Sequence, residues 1–132
     1  MKVLVVGGAG YIGGALTDLL QKTSYEVRVY DALLYEEEYR KPIGFVYGDV
    51  RDRDTLSPNL KWADVVIWMA ALVGDGACAL NPDVAVEINQ HAVAWLSDHL
   101  ERAGMGREIA PWCDALFTSG AKHILRPLHP LT

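Results

Sequence analysis

Two sets of residues in this chain have the types and spacing that chemistry needs. The first is Gly7, Gly8, Gly10 and Gly13, which follow the apolar run Val3-Leu4-Val5-Val6 and enclose Tyr11 and Ile12. Glycines in this position permit a tight turn and let backbone N–H groups come close to a phosphate. Both the Gly8-x-Gly10-x-x-Gly13 spacing and the shifted Gly7-x-x-Gly10-x-x-Gly13 spacing are satisfied. An apolar helix starting near Tyr11 would aim the positive end of its dipole at that phosphate. The second set is the carboxylate of Asp31, which closes the next apolar run, Val27-Arg28-Val29-Tyr30. An acid at that point accepts hydrogen bonds from the ribose hydroxyls of a dinucleotide. Groups suited to proton transfer are scattered by comparison. Cys113, Thr118, Ser119 and His123 belong to no motif and read as structural residues, so the catalytic residues are left unknown. His91, His99, His123 and His129 lack metal-ligand spacing, and Cys78 and Cys113 alone make neither a zinc site nor a disulfide framework. No metal is expected.

These residues need a scaffold, and the pattern supplies one. Strands are expected at Lys2–Val6, Glu26–Tyr30, Gly44–Tyr47 and Asp64–Met69, each short and apolar, as strands covered on both faces are. Helices are expected at Tyr11–Lys22, at Tyr35–Arg40 ending before Pro42, and at Asp52–Leu60 with a break near Pro58. The longest helix is expected from Pro82 to Ala103, capped by Asn81 and stopped by Gly104. Its residues Ala85, Ile88, Ala92, Trp95, Leu96 and Ala103 form one apolar stripe, and Val86, Val93 and Leu100 form a second. Either the helix is buried on two sides, or it has one broad core face with an exposed valine. Beyond Gly104 the periodicity weakens: Met105–Trp112 has no strand pattern, and a fifth strand is read at Ala115–Ser119. Strand and helix alternation of this kind requires right-handed crossovers and a parallel sheet with helices on both faces. The expected fold class is α/β, a Rossmann-like doubly wound parallel sheet in a single domain over residues 1–132.

Composition agrees with one globular domain. The chain has 132 residues, of which 51% are hydrophobic and 22% charged, with a net charge of -5. No basic cluster offers a footprint for nucleic acid, and the acidic run Glu36-Glu37-Glu38 reads as a solvated helix face or loop. No stretch is long enough for a membrane span, and Gly7 to Gly14 interrupt what would be the apolar core of a signal peptide. A cytoplasmic protein without membrane or nucleic-acid partners is expected.

Several further motifs follow the glycine turn in order: Asp31-Ala32-Leu33, Gly48-Asp49-Val50-Arg51-Asp52, Met69-Ala70-Ala71-Leu72-Val73-Gly74-Asp75 and Ile88-Asn89. Together they resemble the extended short-chain dehydrogenase/reductases, and within them the NAD-dependent nucleotide-sugar epimerases and dehydratases, over residues 1–104. The resemblance implies NAD as cofactor, with NADP disfavoured. It implies that Gly7, Gly10 and Gly13, with the amides of Tyr11 and Ile12, hold the pyrophosphate. Asp31 would hold the ribose, with Ala32 and Leu33 near the adenosine, and Asp49 and Val50 would flank the adenine. Ala70 and Ala71 would lie near the nicotinamide-side ribose, and Asn89 would support the cofactor site. It also implies a homodimer through the helix at 82–103, for which the second apolar stripe offers a surface.

The chain departs from the family in three places. Trp68 stands where the family usually has histidine. No tyrosine is followed four residues later by lysine, so the family's Tyr-x-x-x-Lys pair is missing. The family's substrate domain is missing as well, the family's fifth strand aligns with either Arg107–Ala110 or the segment ending in Thr118-Ser119, and residues 105–132 read as a divergent tail. The expected function is therefore dinucleotide binding with weak or no epimerase activity and slow oxidoreductase activity at most. The alternative is a non-catalytic binding or regulatory module that acts with a partner chain.

Overall fold

A computed structural model describes residues 1–103 and the strand at 109–111. Among the described residues, five parallel strands form one sheet in the order β3-β2-β1-β4-β5. They are β1 (Lys2–Val6), β2 (Glu26–Asp31), β3 (Gly44–Tyr47), β4 (Val65–Trp68) and β5 (Ile109–Pro111). The order reverses at β1, so the crevice between the β1 and β4 carboxyl ends is the topological switch point where such sheets bind ligands. This is the expected Rossmann-like α/β fold. Of the two placements for the fifth strand, the structure takes the one overlapping Arg107–Ala110. Ala115–Ser119, Cys113 and His123 lie outside the described residues.

Strand alternation sorts the core into two layers. Val3 and Val5 of β1 join Val29 on one face and pack with Leu16 and Leu20 of α1 (Tyr11–Leu20). Leu4 and Val6 point to the other face. There they meet Leu56 and Leu60 of α2 (Arg53–Trp62) and Leu96 and Leu100 of α5 (Ala92–Arg102). Between β4 and α5 lie α3 (Asp75–Leu80), α4 (Pro82–Val86) and a single π turn at Glu87–His91.

Four expectations change. Residues 35–40 form no helix. Three adjacent acids offer no apolar stripe, and the segment instead stacks Tyr39 on Phe45 (4.6 Å between centroids) and sends Lys41 to Asp18 of α1 (2.7 Å). Tertiary contacts thus close this face without a helix. Pro58 does not break α2, which runs on to Trp62. The amide that proline lacks would have served the exposed first turn, and the Asn59 side chain donates to Thr55 O (2.9 Å) one turn on. The long helix runs from Pro82 to Arg102 without a break but holds a π turn at Glu87–His91, and α3 precedes it unforeseen. Finally, the second apolar stripe belongs to the core. Val93 and Leu100 are 8% and 3% exposed, and only Val86, at 43%, reaches the surface. One broad core face with an exposed valine is the arrangement found, so the stripe behind the homodimer expectation is largely used within one copy.

Candidate functional site

A cleft of about 680 Å³ opens at the carboxyl edge of the sheet. Its wall takes in Gly7, Gly10 and Tyr11 of the glycine turn, Asp31, Ala32 and Leu33 after β2, Asp49 and Val50 after β3, and Ala70 and Ala71 after β4. Ten of the expected site residues therefore share one cavity. Ile12, Gly13 and Asn89 are outside its lining.

The glycines act for different reasons. Gly7 has φ +82, and a Cβ there would lie 2.4 Å from Ala70 N. Its first service is to let the β4 loop pack on the turn. Gly13 is buried beneath the turn, where a Cβ would lie 2.4 Å from Gly7 O. Gly10 is different: a Cβ there would meet only Gly7 O, at 3.6 Å, and the space beyond belongs to the cleft. Gly10 is also the N-cap of α1 and supplies no side-chain hydrogen bond. The first amides of α1 are consequently left for an external acceptor.

Asp31 is held in place from both sides. Ala9 N–H donates to its Oδ2 (3.0 Å) and Leu33 N–H to its Oδ1 (2.8 Å). The second bond accompanies a left-handed Leu33, φ 50, a conformation that costs a non-glycine residue about 1 kcal/mol. Arg28, on the same strand, is engaged elsewhere. It donates to Asn59 Oδ1 (3.0 Å) and lies over the Trp62 ring, 3.8 Å from the centroid.

Asp49 carries an ion pair that sequence reasoning missed. Arg51 donates from its backbone N–H (2.8 Å) and Nε (3.0 Å) to Oδ1, and from Nη2 to Oδ2 (2.6 Å). The Arg51 side chain holds the Asp49 carboxyl below its ordinary range. Arg51 Nη1 also lies 3.7 Å from Glu87 in the π turn. Arg51 stands inside the quoted Gly48–Asp52 motif, but its link to Glu87 joins residues far apart in sequence. Tyr30 was missed too. It is fully buried, and burial, with Asp52 and Asp49 nearby, pushes its phenol up to about 12.

The β4 loop is fastened by side chains. The Asn89 side chain accepts from Leu72 N–H and donates to Leu72 O, each at 2.8 Å. It supports the cleft from behind instead of lining it. Trp68, in the position usually held by histidine, is buried and donates from Nε1 to Ala70 O (3.0 Å).

A family model described as NAD dependent epimerase/dehydratase family matches residues 3–125. The match extends past Gly104, into the residues read as a divergent tail. An uncharacterised membrane protein and a putative UDP-glucose 4-epimerase, both of Methanocaldococcus jannaschii, are 37% and 34% identical over 94 and 90 residues. Each alignment covers 66% of this chain, and 28% and 30% of the two relatives. The UDP-glucose 4-epimerase of Thermus thermophilus, solved in complex with NAD, matches with TM-score 0.69 and 27% identity, over 80% of this chain and 35% of that one. The chain thus spans about a third of the length of these proteins. No helix among the described residues is long and apolar enough to cross a membrane. By its fold, its ordered motifs and the extent of the family match, the chain belongs to the NAD dependent epimerase/dehydratase family.

Proposed function

We propose that the chain binds NAD in the cleft at the carboxyl edge of the sheet and, as these 132 residues, does not epimerise nucleotide-sugars efficiently. The observation that carries this reading is the pairing of the uncapped α1 terminus at Gly10 with a fixed Asp31 carboxylate in one cavity. One is a donor set for a pyrophosphate, the other an acceptor for ribose hydroxyls. In this reading the amides of Tyr11, Ile12 and Gly13 take the pyrophosphate above Gly7 and Gly10. Ala32 and Leu33 border the adenosine, and Asp49 and Val50 the adenine. Ala70 and Ala71 border the nicotinamide-side ribose, with Asn89 holding their loop. The bound nicotinamide would supply hydride transfer.

Selectivity follows from charge. The Asp31 carboxylate repels a 2′-phosphate, and Arg28 is tied to Asn59 and Trp62, away from any such group. NADH should bind more tightly than NADPH, and Asp31→Ala should weaken NADH and narrow the difference. Fluorescence titration with the two cofactors tests this; NADPH binding as tight as NADH would overturn it. Proton transfer is the part with no assigned group, because no Tyr-x-x-x-Lys pair exists here and a poised acid–base group contributes about 10²–10⁴-fold. Incubation with UDP-glucose and NAD should therefore yield no appreciable UDP-galactose. Robust turnover by the purified chain would refute this point.

A further inference from the structure

We propose that Tyr30 and Arg51 are positioning residues that together fix Asp49 as a directed acceptor, and so make the cleft select a purine bearing an amino group over one bearing an oxo group. The inference rests on the dinucleotide reading above, and adds to it the two side chains that enforce base choice.

Tyr30 works on the backbone of Asp49. Its ring lies beneath Gly48, where a Cβ would fall 2.2 Å from the hydroxyl oxygen and 2.3 Å from Cζ. The phenol thus fills space that glycine alone leaves free. Its hydroxyl donates to Asp49 O (2.8 Å), and Asp52 N–H donates to the same carbonyl (3.0 Å). With two donors on that oxygen, the peptide after Asp49 is held against rotation. Because the phenol is so weakly acidic, it remains a donor throughout the neutral range.

Arg51 works on the carboxylate. Two of its donors occupy Oδ1 and a third occupies one side of Oδ2, in the fork geometry that only a guanidinium offers. The guanidinium is steadied in turn by Glu87. A carboxylate oxygen takes two donors, so Oδ1 is filled and Oδ2 keeps one acceptor position. Asp49 lines the cleft, which leaves that position as the polar group offered there by its side chain. Being ionised, it accepts and does not donate. An exocyclic amine satisfies it, whereas an oxo group sets acceptor against acceptor. Once the carboxylate is free to turn away, either base is tolerated and the choice is lost.

The experiment uses the whole chain and compares NAD with nicotinamide hypoxanthine dinucleotide, which carries an oxo group in place of the adenine amine and a hydrogen on the neighbouring ring nitrogen N1. Calorimetric affinities are taken for the unmodified protein, Tyr30→Phe and Arg51→Lys. Tyr30→Phe keeps the ring and removes one donor; Arg51→Lys keeps the charge and removes the fork. The unmodified chain should prefer NAD by about tenfold, the scale of one mismatched hydrogen bond at a half-exposed site, and each variant should bring the ratio to about twofold. A variant that merely loosens the fold lowers both affinities together and leaves the ratio intact, so the ratio separates positioning from stability. Ratios in both variants equal to that of the unmodified chain would overturn the inference, as would an unmodified chain that binds the two dinucleotides equally. Failure of the unmodified chain to bind either one would instead refute the dinucleotide reading.

Discussion

Helices α1 and α2 are ten residues each, and both begin at the carboxyl edge of the sheet, yet their first turns are finished in opposite ways. At α2, Asp52 accepts from Thr55 N–H (3.1 Å) and from the Thr55 hydroxyl (2.6 Å), so the helix satisfies its own terminus. At α1, Gly10 stands in the cap position and contributes no side chain at all. Asn81 closes α4 in the manner of α2, through Val84 N–H (3.3 Å). Of these three termini, the open one is the one that faces the cleft. At α2 and α4 a capping side chain satisfies the first turn, and at α1 the amides are left toward the cavity.

The sharpest way to break this contrast is to cap α1. Gly10 has φ −69 and ψ 175, which any residue adopts, so Gly10→Asp should fold and place a carboxylate on the open amides. The melting temperature should hold or rise, while NAD affinity falls by about 100-fold or more as the new charge occupies the phosphate site. Calorimetry and a thermal melt on the same sample check both halves. Retained NAD affinity would mean that the α1 terminus is not the phosphate site. Next in size is Asn89→Ala, which strands the Leu72 N–H, leaves its C=O with the weak Cys78 thiol donor (3.4 Å), and should cost about 2 kcal/mol in urea unfolding. It should also weaken NAD, by loosening the β4 loop against Gly7. Asn89→Asp keeps the accepting bond but sets a carboxylate oxygen against Leu72 O, so it should cost at least as much as Asn89→Ala.

The contrast between termini also explains what could be read from the residues alone. The glycine turn announces itself because its geometry depends on the absence of Cβ atoms at fixed spacing, which sequence states directly. The same holds for β1 to β4, whose apolar runs are short and contiguous, and for the Asn81 and Pro82 start of α4. The purpose of each glycine was less visible. Gly7 makes room for the backbone of Ala70, a neighbour brought in by the sheet from far along the chain. Residues 35–40 depart from their expected helix for a related reason, since the Tyr39 stack on Phe45 and the Lys41 tie to α1 outweigh any local preference. The π turn carries no marker in residue type, and the Arg51–Glu87 contact crosses between two elements. Features set by one residue's backbone were legible, and features set by pairs distant in sequence were not.

The smallest expected effect comes from opening α2 where Gly10→Asp closes α1. Asp52→Ala removes the cap from a helix whose end does not line the cleft, so it should lower the melting temperature by a few degrees. Its effect on NAD affinity should be a small fraction of that of Gly10→Asp. The pH profile identifies the cause. The Thr55 hydroxyl, and then the Thr55 N–H, hold the Asp52 carboxyl below its ordinary range in the folded chain. A folded value below the unfolded one means that the cap stabilises fully above the ordinary carboxylate range and is lost as pH falls through the folded value. The two proteins should therefore differ at pH 7 and converge in acid. Asp49 titrates in the same direction through Arg51, but it is present in both proteins and cancels from the comparison. A gap in melting temperature that persists undiminished into strong acid would show that Asp52 stabilises α2 by something other than its charged cap. A loss of NAD affinity as large as that of Gly10→Asp would show that the two helix ends are not distinct in function.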